Sequence, residues 1–144
     1  MNSHLLPKVI TNEDTNPYWE NILKGNLTIQ RCRMCTEIWA YPQNVCCNCL
    51  STDIVSVPCQ GTGVIYSYTI ILRAPTPEFS EKIPYAIGII ELDEGCKIMA
   101  EIIGPLSEIK INKRVSVVYS KSNDVFIFPK FSIDFNLEAY ATRI

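Results

Sequence analysis

The chain is poor in the residues that do chemistry. Its one histidine, His4, lies at the very start, so a serine or cysteine triad would have no other imidazole to act as base. No stretch reaches the roughly 18 continuous apolar residues of a membrane span. The segment from Met1 to Thr15 lacks the apolar run and cleavage site of a secretory signal. Neither sign of charge dominates: 13 Lys and Arg against 15 Asp and Glu give a net charge of −2. That leaves no strong positive field for non-specific nucleic-acid binding through counterion release. Glycine is scarce, at 6 residues. Gly61-Thr62-Gly63 is too short for a phosphate-cradling loop and leads straight into a strand, so it reads as a bend. These absences point to a soluble, cytoplasmic protein that is not an enzyme, with 144 residues forming one compact domain or two small ones.

What the chain has in quantity is cysteine. Cys32, Cys35, Cys46 and Cys49 form two C-x2-C pairs separated by ten residues. Each pair can place two sulfurs on one side of a tight turn, and two such turns complete a tetrahedral cage, most often around zinc. With four thiolate ligands no coordination position remains for water or substrate, so the Zn(2+) expected here is structural. Iron in a rubredoxin-like cage and a pair of disulfides are the alternatives. A reducing compartment favours metal over disulfide. Cys47 lies inside the second pair, so Cys46–Cys47 or Cys47-x-Cys49 ligation is conceivable; Cys46 with Cys49 repeats the spacing of the first pair and is preferred. Cys59 and Cys96 fall in strand-like stretches, where a free cysteine acts as a small buried hydrophobe. A bridge between them is the other reading.

Around the cysteines the hydrophobic period changes. Asn16 followed by Pro17 signals a helix start, a capping side chain and then a residue whose missing N–H is not needed. Tyr18, Trp19, Ile22 and Leu23 share one face of the helix expected over 17–24, and Gly25 stops it. From Leu27 the period becomes two, leading a strand into the first cysteine pair. Beyond Thr52 strand follows strand: 54–59 and 64–72 with the glycine bend between them, 85–92, 96–103, 114–120 and 125–128. Asp93-Glu94-Gly95 reads as a hairpin turn. Within 96–103, Cys96, Ile98, Ala100 and Ile102 should face inward. Counting 54–72 as one bent strand gives five, which fits a small closed barrel of the OB type better than an open sandwich. The fold class is therefore mainly β. An N-terminal helical segment covers 1–26, a rubredoxin-like zinc ribbon 27–53, and an OB-fold barrel with a C-terminal tail 54–144.

The order of these pieces resembles a known family, the zinc-ribbon/OB-fold acyl-CoA-associated proteins, formerly a domain of unknown function. Pro17-Tyr18-Trp19-Glu20 and Gly25-Asn26-Leu27 are similar to its helix and entry strand. Gln30-Arg31-Cys32 to Cys35, Tyr41-Pro42 and Cys46 to Cys49-Leu50-Ser51 are similar to its ribbon. Gly61 to Thr69, Pro84-Tyr85, Glu91 to Gly95 and Pro129-Lys130-Phe131 continue the likeness. Thr36 departs from it, standing where glycine commonly follows the first pair, and Gln43 stands where a second proline is common. The resemblance implies a non-catalytic accessory or scaffold subunit. Its partner would be a thiolase, a hydroxymethylglutaryl-CoA synthase or another acyl-CoA-processing enzyme, and it would help bind or channel acyl-CoA.

For contact with acyl-CoA, coenzyme A or the partner, the residues to weigh are Trp19, Arg31, Arg73, Phe79 and Lys82. The aromatics Tyr18, Trp19, Trp39 and Tyr41 offer a groove for an acyl chain, but packing of helix on ribbon explains them better. Any single cation is more often a solvated surface charge. The proline-stiffened loop from Arg73 to Pro84 is long for a hairpin and suits partner contact through Phe79. Glu91, Asp93 and Glu94 read as a turn facing water rather than a paired-carboxylate site. The competing function is a single-stranded nucleic-acid module, with Tyr66, Tyr68, Tyr85, Phe126 and Phe128 as stacking surfaces; the acidic balance argues against it.

Overall fold

A computed structural model describes residues 10–122 and 126–133, so His4 lies outside the described residues. Among the described residues one α-helix, α1 (Asn16–Leu23), precedes eight strands. Three form an antiparallel ribbon sheet: β1 (Thr28–Cys32), β2 (Ile38–Trp39) and β3 (Ile54–Pro58), in the order β2-β1-β3. The other five are β4 (Thr62–Ile71), β5 (Tyr85–Leu92), β6 (Lys97–Ile103), β7 (Arg114–Ser122) and β8 (Phe126–Ser132). They close into a barrel in the order β4-β5-β6-β8-β7. Closure leaves this sheet without a free edge.

The helix begins one residue earlier than its sequence signal. Asn16 is its first residue, and the preceding Thr15 makes no side-chain cap. Instead Asn12 and Thr15 bond each other, Thr15 N–H to Asn12 Oδ1 at 2.9 Å and Asn12 N–H to Thr15 Oγ1 at 3.1 Å. Tyr18 and Ile22 are buried, whereas Leu23 is half-exposed and contributes little to the packed face. Gly25, at φ 77, ends the element.

The five-stranded count holds, but its composition differs from the sequence reading. The strand expected to open the barrel at Ile54 hydrogen-bonds to β1 instead, pairing Ile54 with Cys32 through to Pro58 with Thr28. It completes the ribbon, and the barrel starts at Thr62. In β4 the register slips between Ile65 and Ser67, leaving Tyr66 as the extra residue of a bulge. Two-residue alternation therefore changes phase there: Ile65 is fully buried while Tyr66, Ser67, Tyr68 and Thr69 are all exposed. The last strand runs past Pro129 to Ser132. Proline is tolerated because β8 pairs there only with β7, at Tyr119, and meets β6 only at Phe131 and Ser132.

A single apolar cluster joins the parts. Tyr18 and Ile22 of α1 and Leu27, Ile29 and Ala40 of the ribbon pack with the barrel interior, which includes Ile65, Ile90, Leu92, Ile98, Val115 and Phe131. The ribbon has too little apolar surface for a core of its own, and it borrows the barrel's. Both Cys96 and Cys59 are free thiols: Cys96 is buried in this cluster as expected of a small hydrophobe, whereas Cys59 is half-buried against it and its Sγ donates to Glu94 Oε2 at 3.4 Å. Burial comes first among the causes that raise both, with Cys59 pushed up to about 12. The inward set of β6 is as the alternation implies: Cys96, Ile98 and Ile102 are buried and Ala100 is half-buried. Among the described residues no helix is long and apolar enough to cross a membrane.

Candidate metal centre and the adjoining surface

The two C-x2-C segments fold into copies of one turn. In the first, Cys32 N–H bonds Glu37 O at 2.9 Å and Thr36 N–H bonds Cys32 O at 3.0 Å. In the second, Cys46 N–H bonds Ser51 O at 2.8 Å and Leu50 N–H bonds Cys46 O at 3.0 Å. The residue after each pair takes the left-handed conformation, Thr36 at φ 67 and Leu50 at φ 64. Glycine would fit both without strain; Thr36 reads as a departure in the sequence for that reason, whereas nothing in the identity of Leu50 marks its backbone.

These turns bring Cys32, Cys35, Cys46 and Cys49 together, with every sulfur within 4.8 Å of the others. Cys32 Sγ lies 3.6 Å from Cys49 Sγ, and Cys35 Sγ lies 3.5 Å from Cys46 Sγ. A tetrahedron with metal–sulfur bonds of about 2.3 Å has edges of about 3.8 Å, so the sulfurs stand near ligand positions. A disulfide needs about 2.05 Å, and all four are free thiols. The set fits a thiophilic divalent ion such as zinc and leaves no vacant position on it. Cys47 is exposed and outside the group.

The first turn favours ionisation of both its sulfurs. Cys35 is lowered to about 6, chiefly by the Glu37 N–H and then by the Asn48 side chain. Cys32 is lowered chiefly by the Cys35 N–H. Cys49 is raised to about 12: the Ser51 N–H lowers it, but desolvation and then the three sulfurs around it outweigh that bond. Four thiolates at this spacing need a cation among them.

Two hydrogen bonds tie the ribbon to the barrel wall. Leu27 N–H donates to Tyr119 Oη at 2.9 Å, and Tyr41 Oη–H donates to Met99 O at 2.9 Å. Of the four aromatics weighed as a groove, Tyr18 is core. Trp39 is half-buried, with its Nε1 enclosed and unpartnered among the described residues.

The remaining singled-out residues divide. Arg31, on β1 next to Cys32, and Arg73, just after β4, are exposed. Trp19 is half-buried and meets Phe128 edge-on, with centroids 6.0 Å apart. Phe79 lies in a 3-10 turn, Pro77–Phe79, and stacks on Tyr85 at 5.8 Å. Lys82 is not a free surface cation. Its Nζ is 2.6 Å from Glu101 Oε2 and lies over the Phe79 and Tyr85 rings, at 5.7 and 5.5 Å. Lys130 shares that carboxylate at 3.0 Å, and its pKa is lowered, first by burial. Phe128 and Lys130 are alternate residues of β8 and point to the same side of it, away from the buried Phe131. One surface therefore runs from Trp19 and Phe128 to Lys130, Glu101, Lys82 and Phe79. Lys82 is legible in the sequence as a candidate cation, but its grouping with Lys130 around Glu101 is not, because the three come from distant segments.

The acidic turn is more than a solvated corner. Asp93 forms two bonds to the Arg114 guanidinium, at 2.7 and 2.9 Å, and accepts one from Thr62 Oγ1 at 2.6 Å. Those bonds hold its carboxyl at about 2. Glu94 Oε1 accepts from Gln60 N–H at 2.8 Å, and Glu91 pairs with Lys97 at 3.4 Å. The carboxylates are engaged in joining strands. Of the five aromatics weighed for stacking, Tyr85 is buried under Phe79, Phe128 faces Trp19, the Phe126 side chain lies outside the described residues, and Tyr66 and Tyr68 are exposed on β4, with Lys97 Nζ over the Tyr66 ring at 4.6 Å.

A four-sulfur ribbon fused through a shared core to a closed five-stranded barrel defines a ribbon–OB-fold protein. Residues 56–120 match the family model for the ChsH2 C-terminal OB-fold domain. The chain is 30% identical over 106 residues to a DUF35 domain-containing scaffold protein of Methanothermobacter thermautotrophicus, covering 72% of this chain and 79% of that one. It is 33% identical over 100 residues to a probable enoyl-CoA hydratase alpha subunit of Thermomonospora curvata, covering 69% of this chain. It spans only 31% of the length of that relative. Among solved structures it superposes on a chain of the Ltp2–ChsH2(DUF35) aldolase with a TM-score of 0.77 and 28% identity, covering 87% of this chain and 98% of that one. A DUF35 protein of unknown function from Sulfolobus solfataricus, at TM-score 0.60 and 16% identity over 86% of this chain and 87% of that one, shares the fold. The chain belongs to the DUF35 family, the ribbon-and-barrel family that its motifs resemble.

Proposed function

We propose that this chain is a non-catalytic accessory subunit in the cytoplasm that docks on a thiolase-type or related acyl-CoA-processing enzyme and helps bind or channel acyl-CoA. The observation that carries the reading is the fit to a chain of the Ltp2–ChsH2(DUF35) aldolase, which extends over 98% of that chain. The ribbon's part is mechanical. Cys32, Cys35, Cys46 and Cys49 would hold structural zinc, which supplies cross-linking of the two turns and no reaction step. The Trp19-to-Phe79 surface supports the ligand side of the proposal. It offers an apolar end at Trp19 and Phe128, suited to an acyl or pantetheine chain, and a lysine pair at Lys82 and Lys130, suited to an anionic group. Arg31 and Arg73 would act as further cations toward the partner or coenzyme A. With Tyr85 and Phe128 packed within the chain, the nucleic-acid reading is left with Tyr66 and Tyr68 on β4 and a net charge of −2.

Affinity purification of the tagged chain from its native source tests this directly, with acyl-CoA turnover then measured for the co-eluting enzyme, for the chain and for both. The proposal expects an acyl-CoA-processing enzyme to co-elute, and turnover only where that enzyme is present. Turnover by the chain alone would end it. So would retention of nucleic acid, released steeply by salt, with no such enzyme.

A further inference from the structure

The metal end of the ribbon carries apolar side chains that the chain itself does not use. Met34 is 71% exposed, Val45 43% and Leu50 75%. Each is adjacent in sequence to a ligand cysteine, and the ligand sulfurs lie within 4.8 Å of one another, so the three surround one small tip. Leu50 is the telling case. It holds the left-handed backbone at φ 64, where a leucine is strained and a glycine is not. Its side chain is largely bare. Among the described residues no packing contact repays a strained, exposed leucine at that corner.

We infer that the ribbon tip formed by Met34, Val45 and Leu50 is a protein-docking surface whose occupant presents an apolar pocket beside a basic side chain. The apolar part follows from the three side chains. The basic part follows from charge. Four thiolates around a divalent ion leave a net dianion, and Cys49, one of the four, is exposed. Between Cys32 and Asp53, Arg33 pairs with Asp53 at 3.9 Å and Glu37 is the remaining charged side chain, so a metal-loaded tip would be negative overall. A second copy meeting tip to tip would bring two such dianions together, and nucleic acid or an anionic membrane would be repelled. A lysine or arginine donating to Cys49 Sγ completes the fit. If, as proposed above, the chain serves an acyl-CoA-processing enzyme, that enzyme is the occupant.

The test uses the full chain and the enzyme that co-elutes with wild type. Leu50→Gly relieves the backbone and removes the side chain. It should retain metal and match or exceed wild-type thermal stability, yet weaken binding of the enzyme by roughly tenfold or more. Met34→Lys should weaken it comparably and also keep its metal. Ile111→Glu, at an exposed apolar residue of the barrel, should bind as wild type does. Wild-type affinity should fall with added salt. Wild-type affinity in metal-loaded Leu50→Gly and Met34→Lys would overturn the inference while leaving the accessory role intact, as would an equal loss in Ile111→Glu. Salt-independent affinity would remove the basic partner group. Failure of wild type to capture any acyl-CoA enzyme would overturn both proposals.

Discussion

Replacing Tyr119 by phenylalanine tests whether ribbon and barrel stand or fall together. The substitution keeps the ring and its packing and removes only the hydroxyl that accepts the Leu27 N–H at 2.9 Å. Leu27 is only 2% exposed, so water has little access to replace the acceptor. A buried donor left unpaired costs about 1–3 kcal/mol. For a chain of this length each kcal/mol moves the melting temperature by about 3 °C. The expected loss is therefore roughly 3–10 °C in metal-loaded protein. The Tyr119 hydroxyl stays neutral throughout, since its pKa is raised, first by burial. Calorimetry gives the shift, and hydrogen exchange at the Leu27 amide should show faster opening at that point than in wild type. A melting temperature within about 1 °C of wild type, with Leu27 still protected, would refute the claim that this bond fastens the two parts.

Two further outcomes follow from the barrel. Asp93 has a folded pKa of about 2, below the roughly 3.9 of an unfolded aspartate. Its pairing with Arg114 therefore stabilises the protein fully above about pH 4 and is lost as pH falls toward 2. Asp93→Asn should flatten that acid limb of a stability-versus-pH profile; an unchanged slope between those values would show that the pair does not matter. Gly88 lies where an added Cβ would come 2.9 Å from the Ser67 carbonyl oxygen and clash with Ile102 Cδ1. The Ile102 side chain can move aside, but the β4 backbone cannot, so Gly88→Ala should destabilise by about 1–3 kcal/mol in urea unfolding; a neutral result would mean the bulge in β4 relaxes freely.

The metal cage was legible because its signal is local. Two equal spacings place four sulfurs without knowledge of the rest of the chain. The helix, the Asp93-Glu94-Gly95 turn and the inward face of β6 are local in the same sense. What escaped the sequence depends on partners far away in it. Ile54–Pro58 alternates as a barrel strand would, and only its bonds to Thr28–Cys32 assign it to the ribbon. The bulge at Tyr66 leaves no mark in a run of apolar and hydroxyl residues, yet it changes which side of β4 is buried. Lys82 reads as surface charge until Glu101 and Lys130 are seen beside it. Leu50 looks like an ordinary residue after a cysteine, because nothing in its identity reveals a left-handed backbone.

The central claim is a sealed ion serving as a fastener, and X-ray absorption at the metal edge of the purified protein, with elemental analysis, meets it most directly. The account predicts one zinc per chain with four sulfur neighbours at about 2.3 Å. A nitrogen or oxygen neighbour at about 2.0 Å, iron in place of zinc, or protein that folds and binds its partner with no metal at all would contradict it.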